Sequence, residues 1–244
     1  MTLIKSISGI RGTIGGAVDQ GLTPIDAVKF AAAYGTWLQQ QYPGQRLKVV
    51  LGRDARISGP MIAALVQQTL VGLGIDIIDL GLSTTPTVEV AVPLEGAQGG
   101  IILTASHNPK QWNALKLLNA KGEFISDSEG KKVLELAEAG DFAFTDVDQL
   151  GQVKENDTYL QKHIDHILSL DLVDVAAIKA ARFKVVVDSV NSSGGIFVPA
   201  LLQALGVESV TSIFGEPDGH FPHNPEPLPE NLKALSAEVI KQKA

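Results

Sequence analysis

The sequence predicts an α/β protein built from two similar three-layer α/β/α domains with mixed parallel sheets, the second of them truncated. Short, almost continuous apolar runs alternate with stretches of helical length, which is the pattern of a sheet covered on both faces. This pattern occurs twice along the 244 residues, before and after a polar segment at 141–157. The second occurrence ends on a helix with no strand after it, so we expect a cut chain, with a natural end as the alternative.

Three apolar runs in the first half predict buried strands: LKVVLG at 47–52, IDIIDLG at 75–81 and GGIILTA at 99–105. A helix is predicted over 61–74, with Ser58 or Gly59 as its N-cap. A second helical stretch near 87–92 leads into the third strand. The alternation predicts a parallel or mixed sheet that is covered on both faces.

The charged and turn-forming residues of 141–157 mark the domain boundary. We expect a first domain over 1–145, a linker over 146–154 and a second domain over 155–244. In the second domain the predicted helices cover 158–170, 196–206 and 232–244, and the predicted strands cover 182–188 and 207–214.

Composition excludes several classes of function. The net charge of −7 argues against nucleic-acid binding, which needs a basic face. No apolar run is long enough to cross a bilayer or to form the core of a signal peptide, so no membrane partner is expected. The chain has no cysteine, which favours a reducing compartment and predicts a cytoplasmic protein.

The stretch TASHNPK at 104–110 is the candidate site, because a buried strand ends there on a serine beside a histidine. The carboxyl edge of an α/β sheet is where such folds bind ligands. A serine hydrolase is one interpretation, but Ser106 lacks a G-x-S-x-G elbow, and His107 as its chain neighbour is a poor general base. The serine is better suited to carrying a group than to attacking an acyl carbon, provided that a metal or another cation lies opposite it. An ordinary turn at a strand exit is the alternative, and from the heptapeptide alone these two interpretations stay open.

Further motifs occur in a fixed order around this stretch: SGIRGTIG at 8–15, GRDAR at 52–56, VDSVNSSGG at 187–195 and PDGHFPHNPEP at 217–227. Together with TASHNP they resemble the α-D-phosphohexomutase family. The resemblance covers nearly the whole chain but only about the first half of a typical family member. It implies an intramolecular phosphotransferase that moves phosphate between C1 and C6 of a hexose phosphate through a hexose 1,6-bisphosphate.

The resemblance also implies roles for four residues. Ser106 matches the serine that carries the phosphoryl group, and Arg11 matches an arginine near the transferring phosphate. His107 and Lys116 match positions of proton transfer or phosphate contact, although Ala114 stands where the family has glycine. The implied cofactor is Mg²⁺, held by the phosphate on Ser106 and by three aspartates of a DGDxDR loop, which this sequence lacks.

Several choices stay open at this level. The resemblance does not determine which hexose phosphate is the substrate. The implied partners are the C-terminal domains missing from this chain, and without them we expect no turnover of a hexose phosphate. A non-catalytic phosphosugar-binding module of the same fold is the alternative. Asp54 is expected to pair with Arg53 or Arg56 or to cap a turn, and the helix N-terminus after Asp188 is expected to form an ordinary turn.

Overall fold

The structure is a computed structural model that describes residues 1–6 and 9–244. Ser8, the first residue of the SGIRGTIG motif, lies outside the described residues. The contacts divide the chain into two compact units. The first comprises 1–53, 58–105 and 111–157, and the second comprises 54–57, 106–110 and 158–244. The short segments that follow two strands of the first unit therefore group with the second.

The described residues of the first unit form seven strands, four α-helices and a short 3₁₀ helix at Val147–Gln149. The strands are β1 (Leu3–Ser6), β2 (Gly9–Thr13), β3 (Lys48–Arg53), β4 (Asp76–Leu82), β5 (Gly99–Leu103), β6 (Trp112–Leu118) and β7 (Val153–Glu155). The helices are α1 (Pro24–Gln41), α2 (Gly59–Gly72), α3 (Thr85–Leu94) and α4 (Asp127–Ala139).

These strands form one mixed sheet in the order β1-β2-β6-β5-β3-β4-β7. The pairs β5–β3, β3–β4 and β4–β7 are parallel, whereas β1, β2, β6 and β5 pair antiparallel. From β3 the chain crosses to β4 on one side, and β5 pairs with β3 on the other. The carboxyl ends of β3 and β5 therefore form the switch point at which open α/β sheets bind ligands.

Helices cover both faces of this sheet. The core on one face joins α1, α2 and α4 to alternate residues of the strands, including Ile10, Ile101 and Leu115. On the other face α3 packs against the glycines of β3 and β5, because a Cβ at Gly52 or Gly100 would collide with side chains of α3. Every residue of β5 is buried, as expected for a central strand.

The second unit contains β8 (Lys184–Asp188) and β9 (Ser209–Ile213), which pair in parallel, and four helices. The helices are α5 (Tyr159–Leu168), α6 (Val175–Ala181), α7 (Gly194–Ala204) and α8 (Lys233–Gln242). No residue of α6, α7 or α8 is buried, although α7 is strongly apolar. The repeated α/β layering, with a second sheet of two strands in the described part of the chain, confirms the predicted fold class.

The predicted strands and helices occur within a few residues of their expected bounds. Ser58 is the N-cap of α2, but its side chain makes no capping hydrogen bond. The predicted strand at 182–188 begins two residues late, because Arg182 takes a left-handed conformation that ends α6. Within 146–154 the chain forms the 3₁₀ helix and enters β7, which pairs with β4 at the edge of the first sheet.

Candidate functional site

Ser106 follows the end of β5 in an unusual backbone conformation. Thr104 and Ala105 are still buried, whereas Ser106 and His107 are exposed. Ser106 has φ 55°, in the left-handed region that residues other than glycine seldom adopt. Such conformations cost about 1–3 kcal/mol and cluster at functional sites. Ser106 is thus an exposed residue only three positions after the last residue of a fully buried strand.

His107 lies beside this hydroxyl, with 3.4 Å between Ser106 Oγ and His107 Nδ1. A separation of 3.4 Å is longer than the usual hydrogen bond to a hydroxyl, so the contact is weak. The structure thus brings the two predicted side chains together, but without the short, oriented bond of a nucleophile and its general base.

Arg56 lies beneath the serine turn and is buried. Its guanidinium donates hydrogen bonds to three main-chain carbonyl oxygens: Ser106 at 2.8 Å, Asn108 at 2.7 Å and Pro109 at 2.8 Å. A planar guanidinium holds several acceptors in a fixed arrangement, which a lysine ammonium cannot reproduce. Arg56 therefore fixes the path of the main chain at 106–109.

Asp54 balances the buried charge of Arg56. The Arg56 Nε donates to Asp54 Oδ2 at 3.0 Å, and the Arg56 amide donates to Asp54 Oδ1 at 3.0 Å. Burial lowers the pKa of Arg56, and the Asp54 carboxylate opposes this effect. Asp54 thus pairs with Arg56 and also caps a turn, which confirms both parts of the expectation for this aspartate.

Two other loops of the second unit contact Arg56 or its neighbour Ala55. The Phe221 ring centre lies 5.1 Å from the guanidinium carbon, a cation–π contact. Gly219 (φ 74°) packs so closely on the Ala55 carbonyl that no Cβ would fit. The Ala55 amide donates to Ser192 Oγ at 3.3 Å. The segments 54–57, 106–110, 187–195 and 217–227, all of the second unit, therefore meet at Ala55 and Arg56.

The sequence motifs pointed to Ser106, whereas they indicated Arg56 only as one of two possible partners of Asp54. Its signal was the spacing of GRDAR, in which a carboxylate stands two residues before a second arginine. That spacing does not reveal which carbonyl groups the guanidinium reaches.

Arg11 and Lys116 lie together in the first unit. In the antiparallel pair of β2 and β6, Arg11 stands opposite Ala114, and Gly9 stands opposite Lys116. Their side chains therefore share one face of the sheet on a diagonal, at roughly 7–8 Å. This face is opposite to the one on which Ile10 enters the core. Arg11 is exposed and Lys116 is half-buried, so both cations border solvent.

Lys116 has a defined environment on this face. Its ammonium lies 5.8 Å from the centre of the Phe124 ring. Burial raises the pKa of Glu89 on α3, and the charge of Lys116 opposes that rise. Asn113 is fully buried and donates from Nδ2 to Ser58 Oγ at 2.9 Å. The stretch from Asn113 to Lys116 thus belongs to a strand rather than a loop, and Ala114 is accommodated there without a loop to distort.

The second unit holds an ion pair that the sequence analysis missed. His223 Nε2 lies 2.9 Å from Asp188 Oδ2, and His223 Nδ1 lies 2.8 Å from the Asn224 carbonyl oxygen. Burial lowers the pKa of His223, but the hydrogen bonds to Asn224 and Asp188 outweigh it, so the pKa is raised. Asp188 therefore faces a histidine, in the strand-turn-helix that we expected to be an ordinary turn.

In the described ranges 1–6 and 9–244, no group of three or more His, Cys, Asp or Glu side chains is placed to hold a metal ion. The side chains present therefore do not by themselves fit a Mg²⁺ site, and no step below is routed through a metal. Among the same residues, no helix has both the length and the apolar character needed to span a bilayer.

The chain is an α/β protein of two units, in which the central strand β5 leads to an exposed serine in a left-handed conformation. The model of phosphoglucomutase/phosphomannomutase α/β/α domain I matches residues 3–144, and that of domain II matches residues 161–244. The chain belongs to the phosphoglucomutase/phosphomannomutase family, which confirms the resemblance drawn from its motifs.

Individual relatives agree with this assignment. A phosphoglucomutase/phosphomannomutase of Thermococcus kodakarensis is 39% identical over 94% of this chain and 50% of its own length. A phosphoglucosamine/phosphogalactosamine mutase of Sulfurisphaera tokodaii is 34% identical over 96% of this chain and 49% of its own length. A crystal structure of a family protein from Burkholderia thailandensis matches with a TM-score of 0.79 and 28% identity, over 100% of this chain and 52% of that one. The chain spans about half the length of the curated relatives it matches.

Proposed function

We propose that this chain is the phosphoserine-bearing part of a phosphohexomutase, an intramolecular phosphotransferase, with Ser106 as the phosphoryl carrier. The observation that carries the proposal is the exposed Ser106 hydroxyl on a left-handed turn fixed by Arg56. A packed structural serine has no need of such a conformation. The relatives named as mutases support the same class of reaction.

The proposed reaction moves phosphate in two balanced transfers. In the first, a hydroxyl oxygen of a hexose phosphate bonds to the phosphorus on Ser106, the bond from phosphorus to Ser106 Oγ breaks, and the hydroxyl proton passes to a base. The hexose 1,6-bisphosphate then reverses its orientation in the site. In the second transfer its other phosphate returns to Ser106 Oγ, and the freed sugar oxygen takes up a proton.

The four predicted residues have distinct proposed roles. Because His107 lies beside the Ser106 hydroxyl, we assign it to proton transfer. Arg11 and Lys116 share one face of the first sheet. Their positive charges can stabilise the negative charge that is spread over the oxygens of a phosphoryl group during its transfer. The guanidinium of Arg11 can hold two phosphate oxygens at once, whereas the ammonium of Lys116 acts as a point charge.

Magnesium dependence is a general property of the family. In this chain the only ligand proposed for Mg²⁺ is the phosphate on Ser106, and the ion would neutralise phosphoryl charge there. The remaining ligands belong to the proposed C-terminal partner domains of the same polypeptide. We therefore propose that the 244 residues alone do not turn over a hexose phosphate.

The proposed organisation follows the sequence prediction: domain I over 1–145, a linker over 146–154 and domain II over 155–244. The proposed location is the cytoplasm. The hexose is left among glucose, mannose and glucosamine, since the names of the relatives include more than one sugar.

The proposal is tested by the state of Ser106 in the chain isolated from cells. Intact mass and peptide mapping are expected to find a phosphate-sized increment on Ser106, absent from Ser106→Ala and retained in Ser128→Ala, which changes an exposed serine of α4. A non-catalytic binding module would never carry the phosphate and would keep its ligand affinity in Ser106→Ala. A serine hydrolase would instead label at Ser106 with an acyl-serine probe. Either result would remove the carrier role.

A further inference from the structure

The hydrogen bonds of Arg56 determine which way the peptide groups of the serine loop point. The carbonyl oxygens of Ser106, Asn108 and Pro109 are all directed at the buried guanidinium. The described residues contain no cis peptide bond. In a trans peptide the N–H of the following residue points away from the carbonyl. The amide groups of His107 and Lys110 must therefore point away from Arg56.

These two amide groups are available as donors. Neither the His107 N–H nor the Lys110 N–H has a hydrogen-bond acceptor within residues 1–6 and 9–244. Both residues are exposed, as is Ser106 between the buried strand and the loop. Oriented main-chain N–H groups bind anions, and these two lie on either side of Asn108 and Pro109. The loop thus has its acceptors directed inward and its donors directed outward.

We propose that Arg56 is a positioning residue, which holds the loop so that the His107 and Lys110 amides form a receptor for the phosphate on Ser106. This inference rests on the proposed function, since it needs Ser106 to carry the phosphate. Asp54 neutralises the charge of Arg56 at 3.0 Å. Arg56 therefore acts through the geometry of its fork rather than through a net positive charge near the phosphate.

The chain offers a matched control for Arg56. Arg46 also pairs with an aspartate, Asp76 at 2.6 Å, and also donates to two main-chain carbonyls, those of Gln149 and Leu150. It lies at the amino-terminal end of β3, whereas the serine loop follows the carboxyl end of β5. Removing Arg46 breaks bonds of the same kinds, made by an exposed side chain, without touching the loop.

The experiment places phosphoserine at position 106 of the 244-residue chain by chemical or genetic incorporation and follows its titration by phosphorus NMR. The second pKa of a free phosphoserine is about 6. Donors that bind the dianion favour its charged form, so this pKa is expected to lie below that value. The amide protons of His107 and Lys110 are expected to move downfield as the phosphate ionises.

Two substitutions separate geometry from charge. Arg56→Met is expected to return the second pKa of the phosphate to that of free phosphoserine. It is also expected to remove the downfield shifts of the His107 and Lys110 amide protons. Arg56→Lys keeps a cation but loses the planar guanidinium with its several donors. It is expected to give the same titration and the same amide signals as Arg56→Met. Arg46→Met lowers thermal stability but leaves the titration and the two amide signals unchanged.

The proposal is overturned if the His107 and Lys110 amides do not respond to the phosphate in the unmutated chain, a result that needs no variant to fold. It is also overturned if Arg56→Lys titrates like the unmutated chain, or if Arg46→Met has the same effect as Arg56→Met. The phosphate is installed synthetically, so the outcome is separate from the proposed function. Amides that respond, in a chain that cells never phosphorylate, would refute the carrier role alone.

Discussion

Ser106 and Arg56 have different roles in the candidate site. Ser106 is the exposed residue of the loop, and the buried Arg56 holds the main chain of that loop in place. The left-handed conformation of Ser106 would relax if its loop were free. Three carbonyl bonds from Arg56 prevent this, and the pairing with Asp54 keeps the buried guanidinium charged. Breaking one side of such a buried pair costs about 3–5 kcal/mol. The position of Ser106 therefore depends on the buried pair of Arg56 and Asp54.

His223 gives a prediction for the dependence of stability on pH. Both ring nitrogens face acceptors, the Asp188 carboxylate and the Asn224 carbonyl, so the doubly protonated ring fits best. The folded pKa is therefore raised above the unfolded value of about 6.5. The resulting stabilisation is fully present below about pH 6.5 and is lost as the pH rises through the folded pKa.

Urea unfolding between pH 6 and pH 9 measures this effect. The unmutated chain is expected to lose more unfolding free energy over this range than His223→Gln does. His166→Gln, which changes an exposed histidine of α5, serves as the control and is expected to keep the slope of the unmutated chain. Equal slopes for the unmutated chain and His223→Gln would show that the pair adds no pH dependence.

At the scale of secondary structure, the sequence predicted the parallel strands β3, β4 and β5 well, because each is a continuous apolar run between turn signals. It did not reveal that β2 and β6 extend the sheet antiparallel. Gly9 and Gly12 weaken the strand pattern of β2, yet both lie where another main chain passes too close for a Cβ. All three residues of β7 are exposed, so it carries no burial pattern.

The docking of α1 on the sheet depends on one buried phenol. The Tyr34 hydroxyl donates to the Leu118 carbonyl at 2.7 Å and also lies 3.3 Å from the Gly100 carbonyl. Gly99 leaves the room for it, since a Cβ there would collide with the phenol oxygen. Tyr34→Phe is expected to lower the free energy of unfolding by about 1 kcal/mol, because a buried acceptor loses its donor.

Tyr42→Phe is the matched control, since Tyr42 packs against the same core but makes no side-chain hydrogen bond within the described part of the chain. It is expected to leave the denaturant midpoint unchanged. If both substitutions had the same small effect on the denaturant midpoint, the hydrogen bond of the Tyr34 phenol would not stabilise the packing of α1 on the sheet.

At the scale of the whole molecule, the two units differ in how completely they bury their apolar residues. Among the residues that the structure describes, the first has a seven-stranded sheet with helices on both faces, whereas the second has two strands and an apolar α7 without a buried residue. The sequence showed the repeated layering and the serine, since both are local patterns. It did not show that loops of four motifs converge on Arg56, because their contacts join residues 50 or more positions apart.

The most direct test of the central claim is to follow a radiolabelled phosphate from Ser106 in two proteins, the 244-residue chain and the same chain extended by its proposed C-terminal domains. With unlabelled hexose phosphate and Mg²⁺, the label is predicted to pass to the sugar only in the extended protein, and Ser106→Ala is predicted to abolish turnover. The account would be contradicted if the extended protein interconverted hexose phosphates while the label stayed on Ser106.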